Sequence, residues 1–197
     1  MNKNILDIGA WIGTTVLYQA DKFKQVFCVE ADSEALKELR SNVNLNELTN
    51  IVIIVPKALY KTTGTVRFGP NTQFGDELNL STSQIKQEDA SGANEVQSDV
   101  VESICLFDLI QEYKIDNLAL IKCDIEGGEE AIMEDLLNYC LKEKVCCYLS
   151  FHYDWWSDRN IERFDSLFSR FKSPLVEGSV CSLIKKAPFE SFLFEPL

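Results

Sequence analysis

Two glycines and two acidic residues in the first 30 positions form the pattern most suited to chemistry. Asp7 precedes Gly9 by two residues, and Gly13 follows directly before two threonines. Glycines at this spacing let a strand turn tightly into a helix and let a ligand approach the backbone. Glu30 lies roughly 20 residues past the turn, where nucleotide-binding folds grip a ribose with a carboxylate. We therefore predict a nucleotide-binding corner with Glu30 as ribose ligand, a solvated strand-end carboxylate being the plainer alternative.

The middle one of the three residues between the two glycines distinguishes the possible cofactors. A dinucleotide fingerprint needs a central glycine beside the pyrophosphate, and this chain has Trp11 there. A nicotinamide-dependent oxidoreductase is therefore disfavoured. S-adenosylmethionine carries an amino group and a sulfonium but no phosphate, so a carboxylate such as Asp7 and exposed loop carbonyls suit it.

The adenine of such a cofactor should lie past the third apolar run, at Lys57 and Ala58. Thr14 or Thr15 should cap the helix after the glycine turn. The predicted cofactor-binding residues are Asp7, Gly9, Ala10, Trp11, Gly13, Thr14, Glu30, Ala31, Lys57, Ala58 and Asp124.

A second group of reactive residues lies in the second half of the chain. Asp124 and Glu126 follow the apolar run 118–123, and His152 follows the run 145–150. Ligands of doubly wound folds bind outside the carboxyl ends of the strands, so these residues should meet the first corner. A hydroxyl acceptor of a methyl group must lose its proton, and we predict His152, Asp124 and Glu126 as catalytic residues. We favour His152 as base because its ordinary pKa is nearest neutral pH; a packed, hydrogen-bonded histidine is the alternative.

The same acids offer a second chemistry. Asp124, Glu126 and Asp154 could hold Mg²⁺, which would lower the pKa of the acceptor and orient it. Solvated or cofactor-binding acids are the alternative, and Asp124 could be shared between the cofactor amino group and the acceptor. A zinc site is disfavoured because the chain has one histidine and no C-x-x-C spacing.

Alternating apolar runs and helical stripes must position these residues. They predict a doubly wound α/β fold with a mostly parallel sheet and helices on both faces, as one domain over residues 1–197. Asp32 or Ser33 should cap the second helix, and Thr63-Gly64 should turn a hairpin between 58–60 and 66–68. The polar stretch 69–98 is either a lid or a disordered insertion. The tail after residue 173 should form an edge hairpin, in which Phe192 and Phe194 pack in the core or support a homo-oligomer.

Composition limits the partners. The 197-residue chain has a formal net charge of −12, which disfavours nucleic acid and anionic membranes and leaves neutral or cationic small substrates. Seven cysteines in mostly apolar runs, with no signal peptide or spanning segment, predict a cytoplasmic protein. The early first strand leaves open whether residues before Met1 or a partner complete the substrate pocket.

Five motifs in order resemble the FkbM family of S-adenosylmethionine-dependent methyltransferases. They are Asp7-Ile-Gly-Ala-x-Ile-Gly-Thr-Thr, Glu30, Ala58-Leu59 with Lys61-Thr-Thr-Gly64, Val101-Glu-Ser-Ile104 with Asp108-Leu-Ile, and Ile121-Lys-x-Asp-x-Glu-Gly-x-Glu129. The resemblance implies a class I methyltransferase fold, whose seven-stranded sheet ends in an antiparallel strand, and O-methylation of a sugar, glycan or small metabolite.

The chain departs from the family pattern at Trp11, Ala31 and Gly128, where the family usually has Asn, Pro and Ala. The indole of Trp11 could cover the methionine end of the cofactor or restrict the acceptor. A non-catalytic cofactor-binding or scaffold module of the same fold, and an N-methyltransferase, are the alternatives.

Overall fold

The computed structural model describes residues 2–70, 83–86, 99–156, 158–173 and 178–197. Its strands are β1 (Asn4–Ile8), β2 (Val26–Val29), β3 (Val52–Val55), β4 (Ala58–Leu59), β5 (Gly64–Pro70), β6 (Ser83–Lys86), β7 (Asp99–Ile104), β8 (Leu118–Cys123), β9 (Cys146–Ser150), β10 (Phe171–Lys172) and β11 (Ser191–Pro196). Its α-helices are α1 (Thr14–Gln19), α2 (Ser33–Leu45), α3 (Leu106–Glu112), α4 (Glu129–Glu143), α5 (Asp165–Phe168) and α6 (Val180–Lys186), with 3-10 helices at Tyr153–Trp155 and Ile161–Phe164.

The main sheet has seven strands in the order β10-β11-β9-β8-β1-β2-β3. Strands β9, β8, β1, β2 and β3 run parallel, whereas β11 is antiparallel to both β9 and β10. This confirms the predicted class I methyltransferase fold. The predicted edge hairpin after residue 173 is wrong, because α6 precedes β11 and β11 inserts between β9 and β10.

Helices cover both faces of the sheet. The side chains of β1 alternate between the two faces and pack into two separate cores. Ile5 packs with Leu36 and Leu39 of α2, whereas Leu6 and Ile8 belong to the cluster that includes α4. Asp32 caps α2 as predicted, since its Oδ1 accepts from the backbone N–H groups of residues 34 and 35 at 2.9 Å.

The chain reverses its winding direction between β1 and β8. The first three strands add outward from β1, and the crossover through the second sheet then places β8 on the other side of β1. In an open α/β sheet this switch point creates a crevice at the carboxyl ends of the strands. The residues that follow β1 and β8 therefore lie at the mouth of a binding site.

A second sheet has the order β4-β7-β5-β6. The hairpin predicted between residues 58–60 and 66–68 is wrong, because β7 lies between β4 and β5 and pairs with both. Strand β6 and the end of β5 lie within the stretch predicted as a polar loop. The rest of that stretch, 71–82 and 87–98, falls outside the described residues, and the predicted lid lies there.

The aromatic residues of β11 are packed. Phe194 is fully buried, and Phe192 packs against the same core. The prediction that these two rings pack in the core is therefore confirmed, and the contacts of Phe192 and Phe194 do not support the alternative of a self-association surface. In the described part of the chain, every helix is too short or too polar to cross a bilayer.

Candidate functional site

The loops after β1 and β8 contact each other directly. The Asp124 N–H donates to the carbonyl of Ile8 at 2.9 Å, and Gly9 has a φ of 79°. A Cβ atom on Gly9 would lie 1.8 Å from the Asp124 carbonyl oxygen. Only glycine fits at position 9, because the two loops contact each other there; the sequence had predicted a glycine for the approach of a ligand.

The start of α1 differs from the prediction. Gly13, with a φ of 95°, is the N-cap, and no side chain caps the helix. The predicted cap by Thr14 or Thr15 is wrong, because the helix already begins at Thr14. Both threonines instead line a cavity at the carboxyl ends of the strands.

This cavity has a volume of about 190 Å³. It collects nine of the eleven predicted cofactor-binding residues, together with Glu126 from the predicted catalytic set; the nine are Gly9, Ala10, Trp11, Thr14, Glu30, Ala31, Lys57, Ala58 and Asp124. Phe68 of β5 also lines it, so the second sheet contributes to one wall. Asp7 and Gly13 are not among the lining residues.

Glu30 is held by backbone donors at the end of β2. Its Oε1 accepts from the N–H groups of Ala31 and Asp32, and its Oε2 accepts from that of Trp11, all at 2.8 Å. Burial raises the pKa of Glu30, and the three N–H donors oppose that rise. Among the described residues Oε2 accepts one hydrogen bond, so it retains a lone pair for a further donor, such as a ribose hydroxyl.

Asp7 does not reach the cavity. It is fully buried, and Lys122 Nζ of β8 lies 3.0 Å from its Oδ1. Burial raises the pKa of Asp7 while the charge of Lys122 opposes that rise. The sequence predicted that Asp7 would bind the cofactor. In the structure Asp7 does not line the cavity, because Lys122 lies against its carboxylate.

Lys122 was not predicted as a site residue. Besides its ion pair with Asp7 it donates to the Gly9 carbonyl at 2.9 Å, and it lines the cavity. Burial would lower the pKa of Lys122, but the charges of Asp7 and Asp124 outweigh burial and raise it. The signal for its role was a lone cation in the otherwise apolar run of β8.

Lys57 marks the opposite end of the cavity, after β3. Its Nζ lies 3.0 Å from Glu112 Oε1 and 3.8 Å from Glu102 Oε2. The hydrogen bond to Glu112 raises the pKa of Lys57.

His152 joins three carboxylates beside Asp124. Its Nδ1 lies 2.7 Å from Glu129 Oε1, and its Nε2 faces Glu126 Oε2 at 3.3 Å and Asp124 Oδ1 at 3.7 Å. Glu129, the buried first residue of α4, also accepts from Trp156 Nε1 at 3.3 Å. Sequence reasoning missed Glu129, although its place at a helix N-terminus favours an acid.

The electrostatics of this cluster favour proton exchange. Burial alone would lower the pKa of His152, but its hydrogen bond to Glu129 and the surrounding acids raise it. Burial raises the pKa of Glu126 to about 7, although the charge of His152 opposes the rise. Glu126 thus changes protonation near neutral pH, with the His152 imidazole 3.3 Å away.

One of the three predicted metal ligands, Asp154, lies apart from the other two in the structure. Among the described residues, Asp124, Glu126 and His152 offer ligand atoms within 4.8 Å of one another. Asp154 is not in this group; its carboxylate faces Arg159, with Oδ1 3.8 Å from a guanidinium nitrogen. A set containing an imidazole suits Mg²⁺ less well than the all-oxygen set predicted from sequence.

Aromatic rings extend from this cluster. Trp155 stacks on His152 with ring centroids 5.1 Å apart, and Phe189 meets Trp155 edge-to-face at 5.4 Å. Half of Phe189 is exposed. The three residues His152, Trp155 and Phe189, called here the ring group, place apolar ring surface beside the acids.

Two solved structures that resemble this fold are described as methyltransferases. The methyltransferase FkbM from Methylobacillus flagellatus KT matches 98% of this chain with 17% identity and a TM-score of 0.62, and the chain spans 43% of its length. The O-methyltransferase from Bacillus cereus, in complex with SAH, is 13% identical over 99% of this chain and 74% of its own, with a TM-score of 0.54. At these identities the likeness establishes the fold.

Sequence comparison gives the family. The "Probable ribosomal RNA small subunit methyltransferase A" of Methanosphaera stadtmanae is 43% identical over 58 residues, which are 29% of this chain and 21% of that protein. The profile of the methyltransferase FkbM domain matches residues 7–170. Since that match covers the switch-point crevice and most of the chain, the protein belongs to the FkbM methyltransferase domain family.

Proposed function

We propose that the protein transfers a methyl group from S-adenosylmethionine to a hydroxyl of a sugar, glycan or small metabolite. The observation that carries this proposal is that residues after four adjacent strands line one cavity. Lys57 follows β3, Glu30 follows β2, Gly9 follows β1 and Asp124 follows β8. Neighbouring strands are spaced by about 4.8 Å, so this row is roughly 14 Å long, suitable for an extended nucleoside with an amino-acid tail.

The residues present fit the parts of this cofactor in order. Lys57 and Ala58 lie where adenine would bind, and Glu30 Oε2 has the lone pair that a ribose hydroxyl needs. Asp124 and Glu126 provide negative charge for the ammonium and sulfonium groups. Bound there, the cofactor would supply an electrophilic methyl group, and alignment of the acceptor with it would provide most of the acceleration.

We propose Glu126 as the group that accepts the acceptor's proton. It lines the cavity, whereas His152 is not among the lining residues and its Nε2 lies 3.3 Å from Glu126 Oε2. The bound cofactor would supply the methyl group to the acceptor oxygen and leave as S-adenosylhomocysteine, and the hydroxyl proton would pass to the Glu126 carboxylate. His152, oriented by Glu129, stabilises that carboxylate before transfer. The sequence favoured His152 itself; the geometry supports the Glu126–His152 pair with Glu126 facing the substrate.

The surroundings of this pair support the acceptor class. A hydroxyl needs more base assistance than an amine, and three carboxylates with an imidazole provide it. The ring group adds apolar ring surface of the kind that stacks on sugar or metabolite rings. Methylation of an amine would need less proton removal by the Glu126–His152 pair than methylation of a hydroxyl.

The first test is calorimetric titration with S-adenosylhomocysteine, with NAD as a control ligand. We expect micromolar affinity, about −8 kcal/mol, for the wild type, a large loss in Glu30→Ala and no binding of NAD. Acceptor hydroxyls would then be screened with cofactor carrying a labelled methyl group. Tight binding without transfer to any acceptor would favour the non-catalytic module, and absence of binding would contradict the proposal.

A further inference from the structure

Two opposite charges face the cavity at the end of β8 without contacting each other. Lys122 Nζ and Asp124 Oδ2 are 3.9 Å apart, which is too far for a hydrogen bond. Both residues line the cavity. A pair with this separation presents one cation and one anion side by side to whatever binds there.

The hydrogen-bonding of Lys122 points to a further partner. An ammonium group has three N–H donors. Within the described residues, one N–H faces Asp7 Oδ1 at 3.0 Å and one donates to the Gly9 carbonyl at 2.9 Å. The third remains for a ligand. Because Asp7 balances the charge of Lys122 from behind, the ammonium stays protonated at the cavity wall.

We propose that Lys122 and Asp124 bind the α-carboxylate and α-ammonium of the cofactor's amino-acid end. The inference rests on the proposed function and assigns a partner to the cofactor carboxylate, which the sequence left without one. The other cation that lines the cavity, Lys57, lies at the far end and is paired with Glu112 at 3.0 Å. Lys122 is therefore placed to meet the carboxylate where Asp124 and Glu126 face the ammonium and sulfonium.

The test compares two ligands that differ by the carboxylate alone, S-adenosylhomocysteine and its decarboxylated analogue, by calorimetry. Replacing Lys122 alone would strand a buried Asp7 carboxylate and endanger folding. The variant is therefore the double change Asp7→Asn with Lys122→Gln, which leaves a neutral pair of similar size. Lys37→Gln, which changes an exposed lysine of α2 outside the cavity, is the matched control.

In the wild type and the Lys37→Gln control, loss of the ligand carboxylate should weaken binding by about 10- to 100-fold, as expected for a charged hydrogen bond. In the double variant the two ligands should bind equally, at the affinity that the wild type shows for the decarboxylated analogue. An unchanged preference for the carboxylate in the folded double variant would overturn the inference alone. If the wild type bound neither ligand, the proposed function would fail with it.

Discussion

Glu126 is the residue whose chemistry depends most on its neighbours. His152, Asp124, Glu129 and Lys122 all act on its charge, and burial raises its pKa to about 7. His152 opposes this rise, because its positive charge stabilises the carboxylate. The charge on His152 therefore affects the pH at which Glu126 loses its proton.

This titration predicts the pH dependence of methyl transfer. Glu126 must be ionised to accept a proton, so kcat/KM should increase as pH rises through about 7. Glu126→Gln should remove that dependence and lower the rate by about 100-fold or more. Initial rates from pH 5.5 to 9 would measure it, with S-adenosylhomocysteine affinity as the control for an intact site. A variant that kept the wild-type profile would exclude Glu126 as the base.

His152 provides a second test with a defined sign. His152→Gln removes the positive charge that lowers the pKa of Glu126, so the rising limb should move to higher pH while Glu126 remains in place. A merely structural role for His152 would lower the rate at every pH without moving the limb. Thermal unfolding of the variant would show whether the fold is intact.

The cluster also predicts the effect of metal removal. A protonated His152 Nε2 beside Glu126, 3.3 Å away, and metal binding by the same nitrogen exclude each other. We expect activity to survive dialysis against EDTA. Loss of activity that Mn²⁺ or Mg²⁺ restored would instead assign Asp124, Glu126 and His152 as metal ligands.

At the level of elements, the contact between the β1 and β8 loops holds the site together. Gly9→Ala would force a side chain against the Asp124 backbone at 1.8 Å, and we expect it to lower the free energy of unfolding by at least about 2 kcal/mol and to abolish cofactor binding. Gly178→Ala is the control, since its φ is also positive, at 100°, but a Cβ atom there would lie more than 4 Å from every described residue that it could contact. Chemical denaturation of both variants would measure the difference. Equal destabilisation would mean that strain in φ, and not the loop contact, decides the effect.

The elements that the sequence predicted well are those with a local signal. The buried strands, the Asp32 cap and the residues after each strand follow from apolar runs and short spacings, and the structure places nine of the eleven cofactor candidates in one cavity. Apart from the helix cap predicted at Thr14 or Thr15, most failures are contacts between distant segments. A turn signal at residues 63–64 could not show that β7 would enter between β4 and β5, and an acid at residue 7 could not show that Lys122 lies against it.

At the level of the whole molecule, charge sets the class of partner. The chain carries 31 acidic and 19 basic residues, and three of the acids, Asp124, Glu126 and Glu129, lie within or beside the proposed acceptor site. An RNA substrate would have to bring its phosphates against this charge. Because a 58-residue segment resembles a ribosomal RNA methyltransferase, a binding measurement is needed to decide whether the protein binds RNA.

We predict that the protein does not bind RNA at physiological salt. Nucleic-acid affinity comes largely from cations that displace counterions, and it falls steeply as salt increases. Fluorescence anisotropy with a labelled single-stranded RNA and a labelled hairpin, between 50 and 200 mM KCl, would measure it, with a neutral oligosaccharide tested in parallel by calorimetry. Submicromolar RNA binding with a steep salt dependence would show that a local basic surface outweighs the net charge, and would make RNA the first acceptor to assay. Weak binding at every salt concentration would leave neutral or cationic hydroxyl compounds as the substrates to screen, because they approach the acidic cluster without electrostatic penalty.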